Sequence, residues 1–230
     1  MPKMKYLDTF ENTDPDLFHN IIFDFTREFI DGKKVLNIGC WTGGYEQLAE
    51  KNLNNLSMTS VDINHEALRT AKKNVRNVNF IEANTENLPF EDETFDVVTM
   101  FYVIEHLPQE KEREIIKEIS RVIKTSGKFI CVTHNNQWFV NLFDIAYWIT
   151  GHRHYKKSLL EEMLDDSGMK IDSYELRGGI ISSISPTFFY IFKYLFKKNL
   201  YRDFESIKKI ISDEFKKEGF RDIFLIAKKK

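Results

Sequence analysis

Residues 33–64 read KKVLNIGCWTGGYEQLAEKNLNNLSMTSVDIN. Val35, Leu36, Asn37 and Ile38 make a short, largely apolar run, as a buried parallel strand requires. Gly39, Gly43 and Gly44 follow as a glycine-rich turn, and Tyr45, Leu48 and Ala49 then recur at helical spacing. Strand, glycine turn and helix is the arrangement that lets backbone approach a ligand closely at a helix N-terminus. A second apolar run, 58–61, ends on Asp62. That carboxylate stands roughly 20 residues past the turn, where a nucleotide-binding unit holds a ribose hydroxyl pair. The stretch therefore points to an adenosine-type ligand.

The composition narrows the classes around it. The 230 residues carry 42% hydrophobic residues, enough for a substantial core, and 33 basic against 35 acidic side chains, for a net charge of −2. That balance gives no case for bulk nucleic acid. Cys40 and Cys131 are too few for a disulfide scaffold and form no CxxC pair, which is the usage of a reducing compartment. The opening MPKMKYLDTFENTDPD has no apolar signal core, and no run of 18 or more apolar residues exists to span a membrane. A cytoplasmic protein is expected.

Outward from the central stretch, strand and helix signals alternate. Asp14 and Pro15 are placed to cap and start a helix whose apolar stripe is Leu17, Phe18, Ile21, Ile22, Phe25, Phe29 and Ile30, ended by Gly32. Asn64 caps a second helix with Ala67, Leu68, Ala71 and Val75 inward. Residues 78–81 form a third strand, 83–94 a loop and 95–100 a fourth strand. Residues 111–124 are strongly amphipathic, and Ser126-Gly127 turns the chain into a fifth strand, 128–133. The alternation predicts an α/β fold: a Rossmann-like, doubly wound, mostly parallel seven-stranded sheet with helices on both faces. Further on, Ser158 and Glu161 match a capping box, Gly168 ends that helix, and 171–176 reads as a sixth strand. Residues 178–218 read as an insertion of two helices. The first, near 186–198, is crowded with aromatics and three lysines. The second starts near Asp203 and buries Phe204, Ile207, Ile211 and Phe215. A last strand, 220–227, is a candidate antiparallel one. With no repeat and no low-complexity linker, the chain reads as one domain: an N-terminal helix to residue 32, a cofactor-binding core over 33–177, the helical cap insertion over 178–218, and the final strand.

The dinucleotide pattern G-x-G-x-x-G needs glycine at position 41, where Trp41 stands. The order of the remaining signals resembles instead the class I S-adenosylmethionine-dependent methyltransferases, of the small-molecule or glycan type akin to the ubiquinone-biosynthesis group. VLNIGCWTGG (35–44) resembles their first motif, Asp62 in VDIN their acidic ribose-binding position, and NTENLPF (84–90) their adenine-binding loop. EDETFDVVTMFYVIEHL (91–107) resembles the fourth-strand motif, and RVIKTSGKF (121–129) the turn into the fifth strand. The likeness covers residues 33–135 well and 158–177 more loosely. It implies S-adenosylmethionine as cofactor, held by Asn37, Gly39, Cys40, Trp41, Gly43, Asp62, Ile63, Asn84, Thr85, Met100 and Phe101. Asn37 departs from the family's usual acidic residue, Trp41 from its glycine, Asn84 from its frequent Asp, and Thr125-Ser126 from its Pro-Gly.

The implied chemistry is in-line transfer of a methyl group from a sulfonium to an acceptor on the opposite side. Positioning alone contributes roughly 7–11 kcal/mol in such reactions. For a hydroxyl acceptor a general base helps, and His106, after Glu105 at the mouth of the fourth strand, is the candidate catalytic residue. His134 stands at the mouth of the fifth strand. His152 and His154, at i, i+2 without a nearby Cys or carboxylate pair, make a poor zinc pattern, so no metal site is expected. The expected acceptor is a small molecule, sugar or lipid-linked glycan, with a possible peripheral membrane contact through 187–198. A non-catalytic binding module with a degenerate site, or an NAD-dependent oxidoreductase, are the alternative readings.

Overall fold

The computed structural model describes residues 14–196 and 205–230. Its elements run α1 (Leu17–Ile30), β1 (Lys34–Ile38), α2 (Gly44–Asn52), β2 (Ser57–Asp62), α3 (His65–Asn74), β3 (Val78–Glu82), β4 (Phe95–Phe101), α4 (Glu112–Val122), β5 (Ile123–His134), α5 (Trp138–Phe143), α6 (Ile145–Thr150), α7 (Lys157–Asp165), β6 (Met169–Arg177), α8 (Ile180–Phe196), α9 (Glu205–Phe215) and β7 (Asp222–Lys229). The seven strands form one sheet in the order β3-β2-β1-β4-β5-β7-β6. β7 runs antiparallel to both β5 and β6, and the pairs from β3 to β5 are parallel. The order reverses between β1 and β4. In an open α/β sheet this switch point is where a crevice opens beyond the carboxyl ends of the strands.

The two sheet faces bury separate cores. Leu36, Ile38 and Met100 face α4, where Ile115, Ile116 and Ile119 close over them. Val35, Met58, Val97 and Ile130 face α1, α2 and α3 through Ile30, Tyr45, Leu68 and Ala71. Alternate residues of β1 thus serve opposite faces, and a strand covered on both sides must be apolar throughout. Among the described residues no helix is long and apolar enough to cross a membrane.

Several local expectations are corrected. Asp16, not Asp14, caps α1: its carboxylate accepts from the His19 backbone N–H at 2.9 Å, while the His19 ring reaches back to the Asp16 N–H at 3.2 Å. Phe23 and Thr26 join the buried face, with Thr26 Oγ1 2.7 Å from the Tyr45 hydroxyl. No turn interrupts the chain at Ser126-Gly127. β5 already begins at Ile123 and passes an irregularity opposite Phe95 and Val97. Gly127 is required there, because a Cβ would lie 2.8 Å from the Asp96 carbonyl. α7 starts at Lys157 with no side-chain cap, so Ser158 lies inside the helix rather than before it. α8 begins at Ile180 and runs through Pro186. Of the apolar residues expected on the last helix, Ile211 and Phe215 are buried, Ile207 is half-buried, and Phe204 lies outside the described residues.

Candidate active site

The glycine turn sits at the switch point. Gly39 adopts φ +79° and Gly43 φ +83°, both left-handed, and a Cβ on Gly39 would lie 2.2 Å from Val103 Cγ2. Only glycine fits there. Trp41, with its side chain 41% exposed, also turns left-handed at φ +46°. Glycine takes this left-handed geometry without penalty, and Trp41 adopts it at a cost of about 1–2 kcal/mol. Its N–H donates to Asp62 Oδ2 at 2.8 Å, and Asp62 Oδ1 accepts from the Asn64 N–H at 2.8 Å. Asp62 therefore ties the turn to the start of α3. Asn64 caps that helix through Ala67 N–H at 3.1 Å, as its sequence position implied.

The residues proposed for the cofactor fall into two groups. Gly39, Trp41, Gly43, Asp62 and the exposed Ile63 line up at the ends of β1 and β2, with Asn84 and half-buried Thr85 on the loop after β3. Asn84 Oδ1 accepts from the Glu86 N–H at 3.0 Å, which shapes that loop. Asn37, Cys40 and Met100 are instead buried, and Phe101 is half-buried with its ring 4.9 Å from Tyr45. Burial first, then the charges of Glu46 and Asp62, push the Cys40 thiol far up, so it stays neutral.

A buried polar row underlies the turn. Asn37 is in register with Ser60 on β2 and Thr99 on β4. Asn37 Nδ2 donates to Glu46 Oε1 at 2.6 Å, Ser60 Oγ donates to the same oxygen at 2.7 Å, and Thr99 Oγ1 donates to Asn37 Oδ1 at 2.8 Å. Glu46, on α2, is fully buried, and its Oε2 has no hydrogen-bond partner. Burial raises its pKa, against the lowering pull of the Asn37 and Ser60 bonds. The row has a sequence signature: each of three apolar strands carries one polar residue at the same level.

A second cluster stands at the mouths of β4 and β5. After β4, Tyr102 turns left-handed at φ +52°, and a 3-10 turn, Ile104–His106, presents Glu105 and His106. The segment 152–155 is pinned against it. Tyr155 pairs with the end of β5 through its N–H to the His134 carbonyl, 2.9 Å, and its buried hydroxyl lies 2.9 Å from the Ile104 carbonyl and against Glu112. Arg153 donates to the Leu107 carbonyl at 2.6 Å and pairs with Glu112. This brings His152 Nε2 to 3.1 and 3.2 Å from the two His106 nitrogens. His154 is held by Asn141 at 2.7 Å and Asp144 at 2.8 Å. β7, arriving antiparallel, places Asp222 2.7 Å from His134 Nδ1 and 2.7 Å from the Tyr102 hydroxyl.

The electrostatics separate the imidazoles. Burial, then the neighbouring His152 and His134, push His106 down to about 4, so it is neutral at physiological pH. Burial also draws His134 down, but the Asp222 carboxylate outweighs it and holds His134 above its ordinary value. Burial leaves Glu105 with a raised pKa. Beside the cluster is a small open cleft walled by His134, His152, Asp144, Phe143, Pro186 and Arg221 among others. Glu46, Asp144, Tyr102 and Asp222 were not singled out from the sequence. The last two meet only because β7 is inserted beside β5.

Comparison with known proteins agrees with this geometry. Residues 36–131 match the family model described as a methyltransferase domain. The chain is 30% identical over 165 residues to the ubiquinone/menaquinone biosynthesis C-methyltransferase UbiE of Rickettsia massiliae, covering 58% of this chain and 66% of that protein. Just under two thirds of the relative's length is thus represented. An S-adenosylmethionine-dependent methyltransferase from Methanosarcina mazei superposes with a TM-score of 0.61 at 21% identity, covering 89% of this chain and 96% of that one. The [4+2]-cyclase SpnF superposes with a TM-score of 0.65 at 17% identity, covering 90% and 80%. These likenesses establish the fold, and the last shows that the fold by itself does not fix the reaction.

Proposed function

We infer that this chain, whose core is a class I S-adenosylmethionine-dependent methyltransferase domain, transfers a methyl group to a small-molecule acceptor with a large apolar part, of the lipid-linked kind. The observation that carries the reading is that the glycine turn with Asp62 and the histidine-lined cleft open at the same edge of one sheet. S-adenosylmethionine supplies, when bound, an electrophilic methyl group on a sulfonium. The residues present suit that cofactor: a left-handed glycine turn at the end of β1, a carboxylate at the end of β2, and a buried carboxylate, Glu46, with one oxygen unpartnered. We assign the ribose to Asp62, the adenine to Asn84 and Thr85, and the charge of the amino-acid end to the Asn37–Glu46 pair. Glu46 on α2 then supplies the carboxylate that Asn37 on β1 lacks.

The rest of the work falls to the acceptor side. His106, neutral at physiological pH, stands beside the cleft, and its low basicity makes it a poor proton acceptor. His134, oriented by Asp222 and more basic than an isolated imidazole, takes the proton that the acceptor loses. The apolar reading rests on exposed apolar side chains of α5, α6 and α8. Trp138 and Leu142, one turn apart on α5, are 74% and 54% exposed, and Trp148, Ile180 and Phe188 are exposed on α6 and α8. The C-methyltransferase relative of ubiquinone and menaquinone biosynthesis supports an acceptor of this sort.

Calorimetric titration with S-adenosylmethionine, S-adenosylhomocysteine and NAD tests the cofactor assignment. Binding of the first two and not the third is expected. Asp62→Ala should weaken it by about 2–3 kcal/mol, the scale of hydrogen bonds to a charged group, or roughly 30–150-fold. Folded protein that binds NAD instead, or neither methionine derivative, refutes the reading.

A further inference from the structure

We propose that Glu105, His106 and His152 hold one divalent transition-metal ion, of the zinc or iron(II) class, at the edge of the cleft. The three offer one donor atom each, and these atoms all lie within 4.8 Å of one another. His152 Nε2 stands 3.1–3.2 Å from the His106 nitrogens. An imidazole presents one in-plane nitrogen to an ion, so the exposed His106 ring turns to aim one of its nitrogens at an ion shared with His152.

The carboxylate is the independent observation. Glu105 is 3% exposed, yet its Oε1 has no hydrogen-bond partner. His134 Nε2 stands 3.9 Å from that oxygen, beyond hydrogen-bond distance. A buried carboxylate oxygen without a partner is costly, and an ion satisfies it. Its other oxygen accepts from Thr133 Oγ1 at 3.0 Å, as a ligating carboxylate is normally held. On the far side of the His152 ring, Nδ1 faces Asp144 Oδ2 at 3.7 Å, the carboxylate–histidine–metal order of many sites.

A neighbouring trio, His134, Asp144 and His152, is also close enough for an ion. There His134 is engaged by Asp222 at 2.7 Å and Asp144 by His154 at 2.8 Å, so we place the ion with Glu105. Two imidazoles and one carboxylate select borderline metals over magnesium or calcium, and three protein donors leave a coordination position open. His152 lines the cleft, so that position takes an oxygen of the acceptor, a phenol or enol for instance. This last role rests on the methyl-transfer reading; the ion itself does not.

The test is metal analysis of the full chain after dialysis with zinc, and cobalt(II) substitution followed by its visible absorption. One equivalent per chain is expected, with the intensity of a four- or five-coordinate nitrogen–oxygen site. His106→Ala, at an exposed position, and Glu105→Gln should each abolish it, and Asp144→Asn should weaken it roughly 10–100-fold. Circular dichroism checks that each variant is folded. Substoichiometric metal in folded parent protein, or a full equivalent retained in folded His106→Ala and Glu105→Gln, overturns the proposal. S-adenosylmethionine binding without the metal refutes this inference alone; metal without S-adenosylmethionine refutes the cofactor assignment alone.

Discussion

Gly39→Ala puts the geometry of the turn to a quantitative test. The new Cβ has two costs. The residue is held at φ +79°, where an L-side chain loses about 1–2 kcal/mol. The Cβ also falls 2.2 Å from Val103 Cγ2 and 3.3 Å from Val103 Cβ and Cγ1. Overpacking of that kind costs about 1–3 kcal/mol. The sum, about 2–5 kcal/mol, is a large part of a typical domain's stability of about 5–15 kcal/mol. Val103→Ala removes both γ carbons and leaves only the 3.3 Å contact, which small shifts relieve. The double variant should therefore regain the steric part and keep the dihedral part. Urea unfolding of the parent, both single variants and the double variant should give a favourable coupling of about 1–3 kcal/mol. Losses that add within about 0.5 kcal/mol, the behaviour of independent sites, would refute the contact and with it the placement of Val103 over the turn.

Two further outcomes follow from buried groups. Glu46 has a folded pKa raised by burial, so its contribution to stability is full below the ordinary carboxyl value near 4.5 and is lost as pH rises through the folded value. Glu46→Gln, which keeps an oxygen for Asn37 and Ser60, should be more stable than the parent by about 1–3 kcal/mol at pH 8; urea unfolding should show that gain shrinking toward pH 4.5, and a pH-independent difference contradicts the assignment. Tyr155→Phe removes the hydroxyl between the Ile104 carbonyl and Glu112. Thermal or urea unfolding should report a loss of about 1–3 kcal/mol, and a change below about 0.5 kcal/mol would mean that the hydroxyl does not anchor the 152–155 segment.

The parallel half of the fold was legible because its signals are local. An apolar run, a glycine turn and an amphipathic helix each span fewer than about 15 residues, and β1 through α4 lie close to where their patterns put them. The errors fall where a non-local contact overrides a local rule. Ser158 matches a cap motif, but the chain enters α7 already paired to the end of β5 through Tyr155, and the helix starts two residues earlier, with Lys156 at the cap position. Ser126-Gly127 reads as a turn, yet pairing with β4 draws both residues into β5. The proximity of the glycine turn and Asp62 was equally legible, because Gly39, Gly43 and Asp62 belong to one strand–turn–helix–strand unit.

The acceptor side was not legible, for a topological reason. His106 and His134 follow consecutive parallel strands, so the sequence places both at one edge. What governs their chemistry comes from elsewhere: Asp222 is 88 residues from His134, and His152 is 46 from His106. Both partners arrive through additions to the parallel core. The connection from β5 to α7 returns His152 to the mouth of β4, and the antiparallel strand β7 slips between β5 and β6 with Asp222 at its first position. The same register that pairs Asp222 with His134 also pairs it with Arg177 at the end of β6, so the carboxylate is enclosed on both sides and fully buried. A carboxylate fixed this way raises the pKa of His134, while burial and the neighbouring imidazoles lower that of His106. The parallel half of the sheet therefore carries the glycine turn and Asp62, and the antiparallel addition brings the carboxylate that separates the two imidazoles at the same edge.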